Sequence, residues 1–463
     1  MNSKHFTVIV LLLLLIGCGF STIYKTDLQG KHLENKMHLA FPTAMGYGRF
    51  SLGGRYGKVA YVTNLNNGGE GSLRHAVEGV QGPRTILFAV SGCIDLRENI
   101  TISDPYVTIA GQSAPHPGIC IKGGGLVIKT HDVVVRYINI RRGDVVGASG
   151  HLSDGIAINR SQDVIIDHVS ISWTLDESLQ VWYEGSKNIT VQHSLIAEPL
   201  NSPLLRPDEG HPHGYGPLIG PQTQRVSLLN NLLAYAIRRS PRISNAQFIE
   251  VKNNVIFGYR GSATHIVDSA KFMESRFINI SGNLYSGGRL SNAINPSSSI
   301  PEKKIFINDN YYFEKGFISP LKPLRIGDTK RGNSSNLHYL ESFKDIISDV
   351  GATIPHRDGV DTSIINSIIA HKVSFPDCVS DGDSGGKIVP SYACKSSSSL
   401  GSWPHYEENF SNSDFDLDGI PDEIEITLSL NPLIYDSDSV CSSRTESQSC
   451  LEYYLNELLV TGT

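Results

Sequence analysis

One group of charged residues in the middle of the chain has the type needed to bind an acidic ligand. The segment Arg238-Arg239-Ser240-Pro241-Arg242 places three guanidinium groups close together, soon after the strand-like run at 230–233. A guanidinium group normally stays charged and binds a carboxylate through paired hydrogen bonds. The residue types therefore indicate a site for a negatively charged polymer.

A set of carboxylates lies near the C-terminus. The spacing Asp-x-Asp-x-Asp-Gly, with an acid at the twelfth position of the loop, surrounds a sharp glycine turn with oxygen ligands. This pattern predicts a structural calcium site that pins the tail, and the alternative is a solvated acidic loop. The predicted ligands are Asp414, Asp416, Asp418, Asp422 and Glu425.

Composition limits the classes of protein that can carry these groups. The chain has 463 residues, 44 of them glycine, and only 19% of its residues are charged. This profile is typical of a turn-rich β protein. The formal net charge is −6, so the molecule as a whole does not attract polyanions and nucleic acid is not expected as a partner. Affinity for an acidic substrate must come from a local basic patch or a bridging cation.

The N-terminus is interpreted as an export signal. Lys4 and His5 precede an apolar run over residues 8–16, which is too short for a permanent membrane helix. The run ends in Leu15-Ile16-Gly17-Cys18, which resembles a bacterial lipobox. Residues 1–18 are therefore predicted to be a lipoprotein-type signal with Cys18 lipidated, and the alternative is an ordinary secretory signal. Both interpretations predict export. A lipoprotein would lie at the cell surface or outer membrane with the lipid as its membrane anchor, and a protein with an ordinary secretory signal would be released into the medium.

Six cysteines remain after Cys18. An even number in an exported protein predicts disulfides, although six cysteines allow fifteen pairings. Proximity in the sequence favours three pairs: Cys93 with Cys120, Cys378 with Cys394, and Cys441 with Cys450.

Short β-branched runs recur along the chain at steps of about 20 to 30 residues, a repeat length found in solenoids. They lie at 163–168, 188–193, 226–231, 250–254, 278–283 and 305–310. A single coil buries too little apolar surface to be stable, so stacked coils must share one core. The pattern predicts an all-β fold, a right-handed parallel β-helix. Four asparagines at equivalent positions are expected to hydrogen-bond between coils: Asn231, Asn254, Asn283 and Asn310.

The remaining segments are assigned around this solenoid. Residues 19–39 are expected to be a linker, and residues 40–395 the β-helix with C-terminal covering loops. Within it, an insertion at 198–221 is expected to project beside the functional face. A short helix around 340–350 is expected to cover the end of the solenoid. Residues 396–463 are predicted to be a Ser/Gly linker followed by the small calcium-loop tail.

Several motifs occur in a recognisable order. They are Ala40-Phe41-Pro42, Gly53-Gly54-Arg55-Tyr56-Gly57, Gly71-Ser72-Leu73-Arg74, Ile166-Asp167-His168 with Ser172-Trp173, and Arg239-Ser240-Pro241. In this order they resemble the extracellular bacterial and fungal pectate lyases of polysaccharide lyase family 1. The resemblance covers residues 40–310 well and the Asp-rich tail moderately. It implies a monomeric parallel β-helix that binds polygalacturonate and cleaves it by calcium-dependent β-elimination.

The resemblance also implies roles for individual residues. Arg239 matches the position that accepts the C5 proton of the uronate, and a neighbouring cation would ease its own proton loss. An alkaline optimum is therefore expected. Asp154 and Glu177 match calcium ligands, and Asp176 is a further candidate because it is adjacent.

Substrate carboxylates are expected to meet three other side chains. Arg242 and Arg238 can bind them directly, and His213 in the insertion is placed to help. Asp167 and His168 are expected to form a structural hydrogen-bonded pair.

Four positions depart from the family pattern. Leu152 and Val181 stand where relatives carry acids, Tyr215 where they carry lysine, and Ser244 where a second arginine is expected. The departures leave carboxylate and metal binding less completely specified than the proton acceptor.

Other readings stay open at this level. Arg239 can be an anion anchor or a surface arginine, and Asp154 and Glu177 can be turn-capping acids. A pectin lyase acting on methyl esters would not need these acids. A non-catalytic, surface-anchored protein that binds uronate glycans would suit the lost acids and the lost lysine. A hydrolase would need paired acids, for which no matching motif set is found.

Overall fold

The computed structural model describes residues 38–143, 154–200, 214–267, 277–296, 305–314, 317–321, 336–373, 404, 406–410, 413–441 and 448–458. Cys18, Cys378, Cys394, Leu152 and His213 lie outside these ranges, as do the predicted signal and linkers. None of the helices in the described ranges is long and apolar enough to cross a membrane.

Three long sheets form the body of the molecule. Sheet 1 consists, in spatial order, of β1 (Lys58–Val62), β2 (Arg84–Phe88), β5 (Val107–Ala110), β8 (His131–Arg136), β11 (Gln162–Asp167), β14 (Lys187–Gln192), β17 (Gln224–Leu229), β20 (Gln247–Lys252), β23 (Ile278–Ser281) and β26 (Ile305–Asn308). Sheet 2 consists of β3 (Gly92–Asp95), β6 (Ile119–Lys122), β9 (Asn139–Arg141), β12 (Ser170–Ser172), β15 (Leu195–Ala197), β18 (Leu232–Ala234), β21 (Val255–Phe257), β24 (Leu284–Ser286), β27 (Tyr311–Glu314) and β28 (Phe317–Pro320).

Sheet 3 consists of β4 (Ile100–Ile102), β7 (Leu126–Ile128), β10 (Ile156–Asn159), β13 (Leu179–Trp182), β16 (Leu218–Ile219), β19 (Arg242–Ser244), β22 (Thr264–Val267) and β25 (Ile294–Pro296). Each coil runs through sheets 1, 2 and 3 in turn, and all pairings are parallel except that of β27 with β28. The predicted parallel β-helix is confirmed. The repeated runs found in the sequence are strands β11, β14, β17, β20, β23 and β26, which are consecutive neighbours in sheet 1.

The core consists of rows of β-branched and leucine side chains that point into the coils. One row in sheet 1 contains Val164, Ile189, Val226 and Ile249, which pair across consecutive strands and are fully buried. Each fully buried side chain of this kind contributes about 1.5–3 kcal/mol relative to an exposed one. Because the row continues through every coil, the stack holds the surface loops at fixed positions.

The predicted asparagine ladder is confirmed at the corner between sheets 1 and 2. Asn231 donates to the side-chain oxygen of Asn254 at 3.0 Å, Asn254 to Asn283 at 2.9 Å, and Asn283 to Asn310 at 2.8 Å. The same amides donate to backbone carbonyls, so polar groups buried at the turn are satisfied.

Two helices cover the side of the solenoid, which corrects the prediction that a helix closes its end. Helices α1 (Asn336–Asp349) and α2 (Gly359–Ile369) pack Ile347 and Ile364 against Leu195 and Leu232 on the outer face of sheet 2. The outer face of sheet 2 carries apolar side chains there, and burying them needs a lateral cover. Arg141 also anchors α2, since it is fully buried and donates hydrogen bonds to Asp358 and Asp361 at 2.9 and 2.6 Å.

The C-terminal tail packs on the outer face of the first strands of sheet 1. Its helices are α3 (Asp422–Leu428) and α4 (Cys450–Tyr453), and Ile420 and Leu451 contact Leu87 and Ala110. The ion pair of Arg55 with Glu452, at 2.5 Å, adds a charged contact between the tail and the body.

Two of the three predicted disulfides are present. Cys93–Cys120 joins the neighbouring strands β3 and β6, and Cys441–Cys450 closes a loop at the start of α4. The third predicted pair lies outside the described residues.

Candidate active site

The corner that leads into sheet 3 brings together residues from four successive coils. Asp154 precedes β10, Glu177 precedes β13, Tyr215 precedes β16 and Arg239 precedes β19. Glu177 pairs with Tyr215, and Tyr215 with Arg238, as isolated parallel bridges. Stacking thus makes neighbours of residues up to 62 positions apart, such as Glu177 and Arg239.

Three predicted carboxylates form a cluster at this corner. Single oxygens of Asp154, Asp176 and Glu177 lie within 4.8 Å of one another. Asp154 and Glu177 are buried, and the amide nitrogen of Glu177 donates to Asp154 Oδ1 at 3.2 Å. Three carboxylates this close repel one another unless a positive charge lies between or beside them. Their geometry fits a divalent cation bound by oxygen ligands.

Arg239 supplies positive charge directly beside the cluster. Its Nη1 forms an ion pair with Glu177 Oε1, and its guanidinium lies 3.7 Å from the centre of the Tyr215 ring. Burial, followed by the charge of Arg242, lowers the pKa of Arg239 to about 10, although Asp176 and Asp154 act in the opposite direction. The aromatic ring and the carboxylate together hold the guanidinium in place.

Further cationic groups extend from Arg239 along the outer surface of sheet 3. Arg238 is exposed, and Arg242 on β19 is in register with His265 on β22. Burial lowers the pKa of His265, and the charges of Arg242, Arg238 and Arg239 add to this effect. The carboxylate cluster and this cationic strip can bind a polyanion through a cation at one end and through guanidinium groups at the other.

His265 was not among the residues predicted from the sequence. It lies 23 positions after Arg242, one coil further along, and no motif surrounds it. Counting one coil length from the arginine segment along the strands would have found it.

The positions that depart from the family pattern are explained in part. Val181 is fully buried and pairs with Ile158 and Ile219 inside the coils, so an acid there would not reach the surface. The ring of Tyr215 packs against the guanidinium group of Arg239. Ser244 lies on the same face of β19 as Arg242. His213 and Leu152 lie outside the described residues.

The predicted pair Asp167 and His168 lies at a different corner, between sheets 1 and 2. His168 Nδ1 is 2.9 Å from Asp167 Oδ2, and Arg136 Nε donates to the same oxygen at 2.7 Å. Both residues are buried, which agrees with the structural role expected from the sequence.

The acidic loop of the tail forms a second carboxylate cluster. Oxygens of Asp414, Asp416 and Asp418 lie within 4.8 Å of one another, and so do oxygens of Asp418, Glu425 and Asp436. Glu425 is fully buried, and neither of its carboxylate oxygens has a hydrogen-bond partner. One oxygen each of Asp414, Asp416 and Asp436 is likewise buried and unpartnered.

Burial and mutual repulsion raise the pKa values of acids in this second cluster. Burial, together with the charges of Asp418, Asp416, Asp414 and Asp436, raises the pKa of Glu425 to about 8. Burial followed by the charge of Asp418 raises the pKa of Asp416 to about 6. A divalent cation would relieve both effects, since it neutralises the carboxylates and accepts their free oxygens.

Two details of the tail differ from the sequence pattern. The carboxylate of Asp422 accepts from Ser413 Oγ at 2.7 Å and from the amide of Phe415 at 2.8 Å, so it is not among the grouped oxygens. Asp436 joins the cluster although it lies outside the twelve-residue loop. No local spacing rule connects it to that loop.

A search against protein-family models found no match. The chain is 32% identical to "Probable pectate lyase C" of Emericella nidulans over 92% of this chain and 94% of that protein. It is 33% identical to the protein of the same name from Aspergillus fumigatus, over 91% of this chain and 94% of that protein.

Among solved structures, the thermostable pectate lyase PL 47 matches with a TM-score of 0.49 and 15% identity, over 68% of this chain and 98% of that one. The extent and identity of the sequence matches decide the family. The chain belongs to the pectate lyase family of polysaccharide lyases.

Proposed function

We propose that this protein cleaves pectate, the 4-linked polymer of galacturonate, by calcium-dependent β-elimination, with Arg239 as the acceptor of the C5 proton. The observation that carries the proposal is the contact of Arg239 with Glu177, inside a cluster of three carboxylates. A guanidinium beside three carboxylates supports the proposal, because a base and a divalent cation would then lie within reach of one uronate carboxylate.

The reaction requires three changes in the substrate. The C5–H bond breaks, its electron pair forms the C4–C5 double bond, and the C4–O4 bond breaks so that the leaving oxygen takes up a proton. The products are a shortened chain and a 4,5-unsaturated oligogalacturonide. The difficult event is the first, because the C5 proton is only weakly acidic.

The residues of the corner suit this event. Asp154, Asp176 and Glu177 would hold calcium, which, when bound, withdraws charge from the substrate carboxylate and makes the C5 proton more acidic. Arg239 is held by Glu177 and Tyr215 at the edge of the cluster, where it would accept that proton. Its proton acceptance is favoured by burial and by the nearby charge of Arg242.

Other cationic groups would bind the neighbouring sugars. Arg242 and Arg238 would donate hydrogen bonds to substrate carboxylates along the outer surface of sheet 3. His265 lies beside Arg242 in the next strand and would contact the same region. His213 remains a candidate from the insertion.

The decisive assay follows unsaturated product by its ultraviolet absorbance. Polygalacturonate is incubated with the protein in alkaline buffer with calcium, and then with a chelator in excess. Product with calcium and none with chelator would support the proposal. The substitution Arg239→Ala should reduce the rate by about 10²- to 10⁴-fold, the range for a positioned proton acceptor.

A matched control is available for this substitution. Arg160 also lies over an aromatic ring, 4.3 Å from the centre of Tyr183, but at the other end of the strands of sheet 3. Arg160→Ala should retain activity. Binding of polygalacturonate without product would instead identify a non-catalytic glycan-binding protein, and calcium-independent cleavage of methyl-esterified pectin would identify a pectin lyase.

For the tail, we propose a structural calcium ion bound by Asp414, Asp416, Asp418 and Glu425, with Asp436 as an additional ligand and Asp422 in a supporting role. The unpartnered buried oxygens of Glu425 support this assignment. Calcium should raise the melting temperature and protect the tail from proteolysis. An unchanged melting curve and digestion pattern after calcium is added to chelator-treated protein would contradict it.

We propose that the protein is exported and anchored by a lipid on Cys18. The support is the lipobox-like segment that ends at this cysteine. Metabolic labelling with a fatty acid should mark the protein and should fail after Cys18→Ser. Release of unlabelled protein into the medium by the unaltered chain would identify an ordinary secretory signal.

A further inference from the structure

An indole side chain lies on the outer surface of sheet 3, the surface that begins at the carboxylate cluster and Arg239. Trp182 is the last residue of β13, and because its neighbour Val181 points into the core, Trp182 points outward and is partly exposed. Trp182 follows Glu177 by five residues, so their Cα atoms are at most about 18 Å apart. A polymer that passes over the reactive corner and on across sheet 3 would meet this indole.

A glycine on the next coil lets the indole lie face down on the sheet. Gly220 follows β16 and is next to Trp182 in the register set by Val181 and Ile219. A Cβ atom at position 220 would lie 1.8, 2.4 and 2.5 Å from Cε3, Cζ3 and Cδ2 of the indole, which places it over the ring and not beside its edge. Because one face of the ring covers the backbone at Gly220, the opposite face is turned toward solvent.

A second aromatic ring supports the indole from the side. The ring centres of Trp182 and Tyr183 are 6.4 Å apart and their planes are perpendicular. Tyr183 in turn has the guanidinium of Arg160 over its ring, 4.3 Å from the ring centre. The indole is thus held by the sheet and by a neighbouring ring, and little of its freedom would be lost when a ligand binds.

Sheet 3 presents two rows of outward side chains that differ in charge. The row nearer the carboxylate cluster includes Gln180, Arg242 and His265. The row of Trp182 carries no charged side chain in strands β10 to β22. Its other members, in register with the indole, are Asn159, Gly220, Ser244 and Val267. A sugar unit over this second row would be held by the indole and not by guanidinium groups.

We propose that Trp182 forms a stacking subsite for a pyranose ring of the substrate chain, beyond the units whose carboxylates meet the cation and the arginines. Because it serves the same polymer, the subsite rests on the proposed cleavage of pectate. In galacturonate the axial O4 leaves the C–H groups of C3, C4 and C5 on one face of the ring. That apolar face packs on the face of an indole, whose negative charge attracts the weakly positive C–H groups.

Stacking gives this subsite properties that the arginines do not share. The contact does not use the carboxylate of the sugar, so salt does not screen it, whereas exposed guanidinium–carboxylate pairs weaken as salt is added. It also acts only on chains long enough to reach from the reactive corner to position 182. Salt dependence and chain length therefore separate the indole from the charged groups.

Kinetics with substrates of different length test the subsite. With polygalacturonate, Trp182→Ala should raise KM by about 3- to 10-fold, the loss expected for one aromatic stacking contact, and leave kcat within about 2-fold. With the shortest oligogalacturonate that the protein cleaves, KM should equal that of the unaltered chain, because the short substrate does not reach the indole. The increase on the polymer should persist at high salt, whereas the increase caused by Arg242→Ala should shrink.

Two further variants and a control accompany this substitution. Gly220→Ala displaces the ring without removing it and should give the same length-dependent increase in KM. Trp182→Tyr keeps an aromatic face and should recover part of the loss. Phe248→Ala is the matched control, because Phe248 is an exposed aromatic residue on sheet 1, and it should leave KM unchanged.

Tryptophan fluorescence provides a readout that needs no turnover. The chain has three tryptophans: Trp173, which is buried, Trp182, and Trp403 outside the described residues. In the Arg239→Ala background with calcium, polygalacturonate should protect the fluorescence from quenching by acrylamide, and adding Trp182→Ala should remove this protection. If the unaltered chain gives no unsaturated product, the proposed function fails, and the protection alone then decides the subsite. An unchanged KM in Trp182→Ala, an increase equal for short and long substrates, or protection that persists without the indole would overturn the proposal.

Discussion

The carboxylate cluster of the active site and that of the tail differ in how the protein balances their charge. Asp154, Asp176 and Glu177 lie beside Arg239, and the same segment contains two more arginines, one before and one after Arg239. For the grouped acids of the tail, the described part of the structure contains no ion pair with a basic side chain, and both oxygens of Glu425 are unpartnered. If both clusters bind a divalent cation as proposed, the first would stay folded while its cation exchanges, whereas the second would need a resident cation.

The two clusters also differ in what positions them. The active-site acids and Arg239 come from separate coils and become neighbours only through the stacked core. The tail acids lie within one short loop, and only Asp436 arrives from outside it. A rigid scaffold suits a site that must bind and release ligands, since the geometry does not depend on the ligand. A loop of like charges suits an ion that stays bound.

Glu177→Gln tests the carboxylate cluster beside Arg239. Of the substitutions compared below, it should change the measured property most. The amide removes both a metal-binding charge and the counter-ion of Arg239. Activity on polygalacturonate should fall by about 10²- to 10³-fold, comparable to the loss of one electrostatic group in other active sites. The increase in melting temperature produced by calcium should remain, because the tail lies against sheet 1 and not beside this corner.

Glu184→Gln serves as its control, since Glu184 is exposed just beyond strand β13 and belongs to neither cluster. It should retain full activity. Equal activity of Glu177→Gln and the unaltered protein would show that the cluster is not used in the reaction.

Glu425→Gln tests the tail. Its effect on the free energy of unfolding should change sign when calcium is added. Without calcium and above about pH 8, where Glu425 is ionised, the amide removes a buried, unpaired charge, so the variant should be as stable as the unaltered protein or more stable by about 1–3 kcal/mol. With calcium at 100 times its dissociation constant, the unaltered protein should gain about 2.7 kcal/mol and the variant much less. Denaturant unfolding with and without calcium measures both values.

The neighbouring acid Glu423 is the control, because it lies on the same helix but is exposed and outside the cluster. Glu423→Gln should retain the calcium-dependent gain. If Glu425→Gln also retains it, the ion is not bound by this cluster. Activity measured at saturating calcium should be unchanged in both variants, which separates the tail from the active site.

The sequence predicted those features that depend on local patterns. The β-branched runs of sheet 1 are long enough to recognise, and the asparagine ladder follows from their equal spacing. The spacing of acids in the tail predicted three of the carboxylates that group there and Glu425. Strands of sheets 2 and 3 have only two to four residues, so their pattern is too short to detect without the stack.

Features that depend on the register of coils or on distant packing were missed. His265 joins Arg242 only because β19 and β22 are neighbours, and Asp436 joins the loop only after the tail has packed. The position of Trp182 over Gly220 likewise depends on one coil of separation. The sequence also left the cover of sheet 2 unassigned, since nothing local to helix α1 indicates which face it covers.

Tyr215→Ala removes an aromatic contact of Arg239, the basic residue that only the first cluster has beside it. The ring lies 3.7 Å from the guanidinium of Arg239, and such contacts contribute about 0.5–2 kcal/mol. Activity should therefore fall by a factor of about 2 to 30, mainly through the turnover rate. Tyr215→Phe keeps the ring and should retain most of the activity. Equal losses in both variants would mean that the hydroxyl, and not the ring, is the important group.

Tyr61→Phe addresses the contact between the tail cluster and the solenoid and should have the smallest effect. The Tyr61 hydroxyl on β1 donates to Asp414 Oδ2, and a hydrogen bond to a charged group contributes about 1.5–3 kcal/mol. In the calcium-bound protein the carboxylate is partly neutralised, so the loss should be about 1 kcal/mol, near that of a neutral hydrogen bond. In the calcium-free protein the loss should be larger, because Asp414 then has no cation. Unfolding free energies of Tyr61→Phe in both states, with the exposed Tyr183→Phe as control, measure this difference. Equal losses with and without calcium would mean that Asp414 does not bind the ion.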